Sequence, residues 1–176
     1  MKKIISIMLL VVITLFITTG CEENKTTSTV NNKVISNGEK VNTKSMKHKH
    51  CTREANAGTN TTMVLYYDLY YTGDVLNILV SHEELQTEDE EMLIQYENAY
   101  KQISTHYEGL EYYDQKVTRT SKSVINETTI NYDEIDIQKL LDIEGEEDNI
   151  IENGKARVNL YLDLLKQFGG TCEDVA

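Results

Sequence analysis

Between Thr61 and His82 the residue types alternate with a period of two. Met63, Leu65, Tyr67, Leu69 and Tyr71 are interleaved with Val64, Tyr66, Asp68 and Tyr70, a run rich in β-formers. Successive side chains of a strand point to opposite faces, so this pattern predicts a strand with two different faces. Tyr71-Thr72-Gly73-Asp74 is a turn signal. Val75 to His82 then reads as the returning strand, with Leu76, Ile78 and Val80 expected on one face. A hairpin of this kind has an apolar face to bury, so the rest of the chain has to supply a cover.

The cover follows at once. From Glu83 to Glu91 the period changes. Thr87 is the expected N-cap, and Glu88, Asp89, Glu90 and Glu91 fill a first helical turn, where the helix dipole favours acids. Met92, Leu93, Tyr96, Ala99, Tyr100, Ile103 and Tyr107 fall on one helical stripe, and Gly109 is a natural stop. Leu110–Thr118 and Val124–Tyr132 read as a second strand pair joined by Thr120-Ser121-Lys122-Ser123. Val124, Thr128, Ile130 and Tyr132 share a side, whereas the inner side of the first member is not set by its residues. Asp136 caps a short helix, Ile137 to Ile143. A last helix from about Lys155 to Phe168 presents Val158, Tyr161, Leu162, Leu165 and Phe168, and Gly169-Gly170 ends it. The expected class is α+β: an antiparallel sheet built from two hairpins, in the order β-β-α-β-β-α-α, packed against helices.

The first twenty residues have another character. Lys2 and Lys3 precede the apolar run Ile4 to Phe16, and Ile17-Thr18-Thr19-Gly20 leads to Cys21. A basic start, a short apolar stretch and small residues before a cut site make an export signal. The apolar run is short of the ~20 residues that span a bilayer core. A cysteine directly after the cut resembles the lipobox of bacterial lipoproteins, with Thr18 where that family usually has Leu. The resemblance implies cleavage before Cys21 and lipid on its thiol, a diacylglyceryl group with fatty acyl chains such as palmitate. One acyl chain holds a membrane weakly and two hold it stably, so the implied anchor is sufficient. With Cys21 lipidated, Cys51 and Cys172 remain in an oxidising place, near the two ends of the expected folded region, and are expected to pair. Closing so long a loop would stabilise the fold by about 5 kcal/mol on the chain-entropy account.

The expected layout is therefore a signal peptide over 1–20, the lipidated cysteine and a disordered basic tether over 21–50, and one folded domain over 51–176. Glu22 to about Lys49 is Asn, Thr, Ser and Lys with few apolar residues, too little to offset chain entropy. Charge divides the same way. Seven basic residues face four acidic ones from Glu22 to Asn56, and eight face twenty-five from Ala57 onward. So acidic a head is repelled by nucleic acid and by anionic lipid, and cationic partners remain.

Lys47-His48-Lys49-His50-Cys51 is the natural place to look for a metal, since two His and a Cys within four residues could ligate zinc or copper. A further ligand is needed, and the only other histidines are His82 and His106. The plainer reading, polar tether residues and a disulfide cysteine, leaves no metal and no cofactor. The acidic loop Asp142-Ile143-Glu144-Gly145-Glu146-Glu147-Asp148 lacks the order of acids of an EF-hand and reads as solvated.

The layout also resembles the YehR-like lipoproteins, a small bacterial domain family of unknown function. The resemblance rests on Cys51-Thr52-Arg53, Tyr70-Tyr71-Thr72-Gly73-Asp74, Tyr112-Tyr113-Asp114, Thr128-Thr129-Ile130-Asn131-Tyr132 and Gly169-Gly170-Thr171-Cys172. It implies an α+β domain on a lipid anchor and supplies no catalytic residues.

The usual hydrolase, zinc-protease, P-loop and dinucleotide motifs are missing from the sequence beyond Cys21. All eleven tyrosines lie between Tyr66 and Tyr161. Tyr66, Tyr67, Tyr70 and Tyr71 form the candidate binding face, because tyrosine joins apolar area to a polar tip. The same residues also suit the core of a small sheet. The expected function is a non-enzymatic binding module on the outer face of the cell membrane, taking a cationic peptide or another envelope protein. The competing expectation is an envelope hydrolase using a carboxylate pair, one of its carboxyls raised by burial.

Overall fold

A computed structural model describes residues 34–58, 60–145 and 150–175 of the 176-residue chain. Its centre is a six-stranded, wholly antiparallel sheet. In chain order the elements are β1 (Ile35–Ser36), β2 (Glu39–Lys40), β3 (Lys47–Gly58), β4 (Thr61–Thr72), β5 (Val75–Thr87), α1 (Glu90–His106), β6 (Tyr113–Arg119), β7 (Ser123–Asn131), α2 (Ile137–Glu144), β8 (Ile151–Glu152), β9 (Lys155–Ala156), α3 (Val158–Gln167) and β10 (Thr171–Val175). The spatial order is β10-β3-β4-β5-β7-β6. The α+β class and the antiparallel sheet are as expected. The two expected hairpins form its middle and one edge, and β3 and β10 add two strands on the other side.

The inner face is the core. Met63, Leu65, Tyr67, Leu69 and Tyr71 of β4 enter one buried cluster with Cys51, Leu76, Leu79, Leu85, Ile130, Leu140, Val158 and Leu165. Leu93 and Tyr100 of α1 join Val124 in a second. Helix α1 runs over β5, β7 and β6, and α3 brings Tyr161 to within 6.1 Å of Tyr67, ring to ring. Register also settles the side that sequence left open: β6 turns Tyr113, Gln115, Val117 and Arg119 inward, opposite Ile130, Thr128, Asn126 and Val124.

Four local expectations are corrected. Leu76 does not share a face with Ile78 and Val80. The pairing shifts between Tyr70 and Tyr71, so Tyr70 meets Ile78 while Tyr71 meets Leu76. That bulge at Asn77 sends Leu76 into the core and Ile78 and Val80 to the other side. The N-cap of α1 is Asp89, whose Oδ1 accepts from the backbone N–H of Glu91 (2.9 Å) and Met92 (3.1 Å). Thr87 stays in β5, because burying Leu85 opposite Met63 holds this stretch extended. Helix α3 starts at Val158, since Lys155 and Ala156 pair with Glu152 and Ile151 instead.

The fourth correction is the stretch expected as tether. From residue 34 the chain is folded. Val34 and Ser36 are buried, and β1 and β2 close a hairpin through Asn37 (φ 51°) and Gly38 (φ 77°). Two successive positive φ values are what a type I′ turn needs, and Asn-Gly supplies them most readily. β3 then begins at Lys47, so the boundary expected at residue 51 falls inside a strand. Alternation in Lys47-His48-Lys49-His50-Cys51 is polar, and carries no hydrophobic signal to mark it as a strand. The expected signal peptide, Cys21 and residues 146–148 of the acidic loop lie outside the described residues.

Candidate functional site: the outer face of the sheet

Period two decides the fate of the candidate tyrosines. Tyr67 and Tyr71 point inward and are core. Tyr66 and Tyr70 point to the outer face, so the four do not form one surface. Tyr70 is nearly covered there: Val34, Val41 and Met46 from the β1–β2 segment pack on it together with Ile78 and Val80. Burial, and secondarily the Asp68 carboxylate, push the Tyr70 hydroxyl up to about 12. Of the four, Tyr66 remains partly open to solvent on this face.

Around Tyr66 the register assembles residues from four strands. Tyr66 stands opposite Thr52 of β3 and His82 of β5, and His82 stands opposite Glu127 of β7. One row along, His50 faces Asp68, and the next row pairs His48 with Tyr70. The Tyr66 ring has His50 at 5.9 Å on one side and His82 at 5.7 Å on the other. His82 has Glu84 Oε2 at 3.8 Å and Glu127 Oε1 at 3.9 Å. The result is an aromatic strip, His50–Tyr66–His82, with carboxylates at its rim.

Asp68 organises the neighbouring row. His48 Nε2–H and His50 Nδ1–H both donate to Asp68 Oδ1, each at 2.8 Å. The His48 ring stacks on Tyr70 at 4.4 Å and 11°. Burial alone would raise the Asp68 carboxyl, but the two imidazole hydrogen bonds outweigh it and hold it below its usual range. With their donors committed to Asp68, both imidazoles are held in fixed orientations.

Sequence reasoning placed His48 and His50 in a tether and named His82 only as one of the two other histidines. The i, i+2 spacing of His48 and His50, matched by Tyr66, Asp68 and Tyr70 on the next strand, was the available signal. It needed β3 to be recognised first. Cys51 directly follows His50 in sequence and lies on the opposite face in space. It pairs with Cys172 across β3 and β10, and the two are joined as a disulfide, Cα atoms 4.0 Å apart. Among the described residues no group of three or more His, Cys, Asp or Glu side chains is placed to hold a metal ion.

The inner face carries its own polar group. Glu83 of β5 lies under α1, with the Tyr67 hydroxyl donating to Oε1 and Asn126 Nδ2 to Oε2, both at 3.4 Å. Burial raises its carboxyl, and hydrogen bonds from Asn126, Tyr100 and Tyr67 only partly oppose the shift. Beyond α1, the Tyr107 hydroxyl donates to Glu144 at 3.1 Å, and its ring stacks on Tyr113 at 4.0 Å.

No family model matches the chain, and no curated protein matches it. Among solved structures, the NMR structure of Escherichia coli YehR aligns with a TM-score of 0.51 at 18% identity, covering 75% of this chain and 95% of that one. An NMR structure of a protein from Streptococcus pneumoniae TIGR4 aligns at 0.46 and 14% identity, covering 89% of this chain and 99% of that one. At such identity the likeness to YehR is one of fold, and it agrees with a YehR-like α+β domain.

Proposed function

We propose that the protein is a YehR-like lipoprotein, held at the outer face of the cell membrane through Cys21, and that its head is a non-enzymatic binding module for a cationic peptide or envelope protein. The observation that carries the binding reading is the strip His50–Tyr66–His82 with Glu84 and Glu127 at its edge. A tyrosine face beside carboxylates attracts Lys and Arg side chains through both cation–π and Coulomb terms. A surrounding head with seventeen more acids than bases from Ala57 onward adds a long-range attraction. The anchor reading is supported by the leader and its cysteine.

The two parts are tested separately. Intact mass of protein extracted from its own membranes should begin at Cys21 with a diacylglyceryl group added. A mass beginning at Met1 would end the anchor reading. For binding, a hexalysine peptide titrated against the protein should shift the amides of Thr52, Tyr66 and His82, and Tyr66→Ala should weaken that binding about tenfold. Unchanged affinity in Tyr66→Ala would remove the outer face as the site.

A further inference from the structure

The two edges of the sheet are built differently. β10 forms one and β6 the other. β10 carries Glu173 and Asp174 side by side, so a like strand laid along it would set acids against acids, one way in which edges are guarded. β6, Tyr113-Asp114-Gln115-Lys116-Val117-Thr118-Arg119, carries both signs of charge, and none of its residues is fully buried. A groove of about 450 Å³ lies against Tyr113 and Gln115, so α1 leaves room beside this end of the strand.

The hydrogen bonds to β7 fix which backbone groups of β6 are left over. Asn131 N–H donates to the Tyr112 carbonyl at 3.0 Å, and Thr120 N–H donates to the Ser123 carbonyl at 2.8 Å, one bond at each end of the strand. Both continue the register that sets Tyr113 opposite Ile130. Hydrogen-bonded pairs alternate with unbonded ones along an antiparallel ladder, so Asp114, Lys116 and Thr118 bond to β7. The backbone groups of Tyr113, Gln115, Val117 and Arg119 point the other way, and among the described residues nothing bonds to them. An added antiparallel strand has to bond to these four.

That parity leaves a second copy of β6 few registers, and charge chooses among them. Centred on Asp114 or on Lys116, like charges meet across the axis. Centred on Val117, neither charge finds its opposite. Centred on Gln115, that residue meets Gln115 of the second copy, Tyr113 meets its Val117, and Asp114 meets its Lys116. Unbonded pairs are the close ones, with Cα atoms ~4.5 Å apart, so Asp114 and Lys116 stand directly opposite on the outer face, twice over by symmetry. Tyr113 with Val117 is an aromatic–β-branched pair, a favourable cross-strand combination. Asp114 is already positioned: the Asn37 N–H donates to its Oδ2 at 2.7 Å, and its Oδ1 has no partner among the described residues. Lys116 is exposed, with Glu127 at 3.9 Å.

We propose that β6 is a self-association edge, at which a second copy of this chain pairs its own β6 antiparallel about Gln115 and joins the two sheets into one. The proposal goes beyond the outer-face reading and stands without it. Three bonded pairs at two bonds each give about six backbone hydrogen bonds, a modest contact that suits a reversible dimer. The test is sedimentation velocity of the full chain in detergent at concentrations up to about 1 mM, the weak end of specific binding. A monomer–dimer equilibrium is expected. Asp114→Lys and Lys116→Asp each set like charges opposite one another and should each weaken the dimer about tenfold. The double reversal, Asp114→Lys with Lys116→Asp, should return it to within about threefold of the parent, because opposite charges face each other again. A monomer at every concentration overturns the proposal. So does a dimer indifferent to Lys116→Asp, the result expected if association runs through residues before 34, and so does a double reversal no better than the single ones. Asp114→Lys also removes the acceptor of the Asn37 N–H. If its melting curve shows it unfolded, the exposed Lys116→Asp decides alone, and unchanged dimerisation there is equally fatal.

Discussion

Two carboxylates on neighbouring strands show how differently the faces of this sheet treat the same chemistry. Asp68 of β4 lies on the outer face, where two imidazoles donate to one of its oxygens and lower its pKa. Glu83 of β5 lies on the inner face under α1, where burial raises it against partial opposition from Tyr67, Tyr100 and Asn126. The tyrosines divide likewise. Tyr67 and Tyr71 fill space in the core, while Tyr66 stands between two histidines. Residue type did not sort these groups. Position in the two-residue period did, together with which face the helices cover.

The strongest way to break the comparison is to loosen the attachment of edge strand β10 to β3, which carries His48 and His50. Replacing both Cys51 and Cys172 by Ser should lower stability by about 2–5 kcal/mol, read by urea denaturation. A loss below ~1 kcal/mol would mean that β3 is held without the clasp. Leu69→Ala on the fully buried inner face should cost about 3 kcal/mol, within the range for such truncations. The paired outer-face change, Tyr66→Ala, is expected to cost only about 0.5 kcal/mol. Equal costs would erase the distinction between the inner and the outer face of the sheet.

The carboxylates sharpen it through pH. Asp68 is more acidic in the folded chain, so its contribution is complete above the ordinary Asp pKa. That contribution is lost as pH falls through the lowered folded value. Asp68→Asn should remove that part of the acid limb and cost about 1–2 kcal/mol at pH 7, from hydrogen bonds to a charged acceptor. Glu83 has the opposite sign. The unfolded chain gives up this proton more readily, so stability falls as pH rises from the ordinary Glu pKa through the raised folded one. Glu83→Gln should therefore be more stable than the parent at pH 7 and lose that slope. A destabilised Glu83→Gln at pH 7, with the slope intact, would assign the shift elsewhere.

Much of the fold was legible because its elements carry strong periods. The β4–β5 hairpin, the α1 stripe, β7 and the Asp136 cap of α2 all follow from apolar spacing and capping chemistry. β1, β2, β3 and β10 were missed because their alternation is polar. Asn37-Gly38 and Asn153-Gly154 were overlooked hairpin signals, each with both residues at positive φ. The outer-face cluster was hidden for the same reason, since His48 and His50 sit on β3.

By itself the sequence determined which residues of β4 share a face, where the β4–β5 hairpin turns, and that the head beyond residue 57 is acidic. The reading of residues 1–20 as an export leader before Cys21 rests likewise on sequence alone. Tertiary structure decided which face became core, because a period of two names two faces without saying which the helices will cover. It placed the Asn77 bulge, which moves Leu76 and Ile78 to opposite sides. It also brought His48, His50, Tyr66, Asp68 and His82 together across three strands. Register between strands depends on all of their pairings at once, and no single stretch of sequence contains that sum.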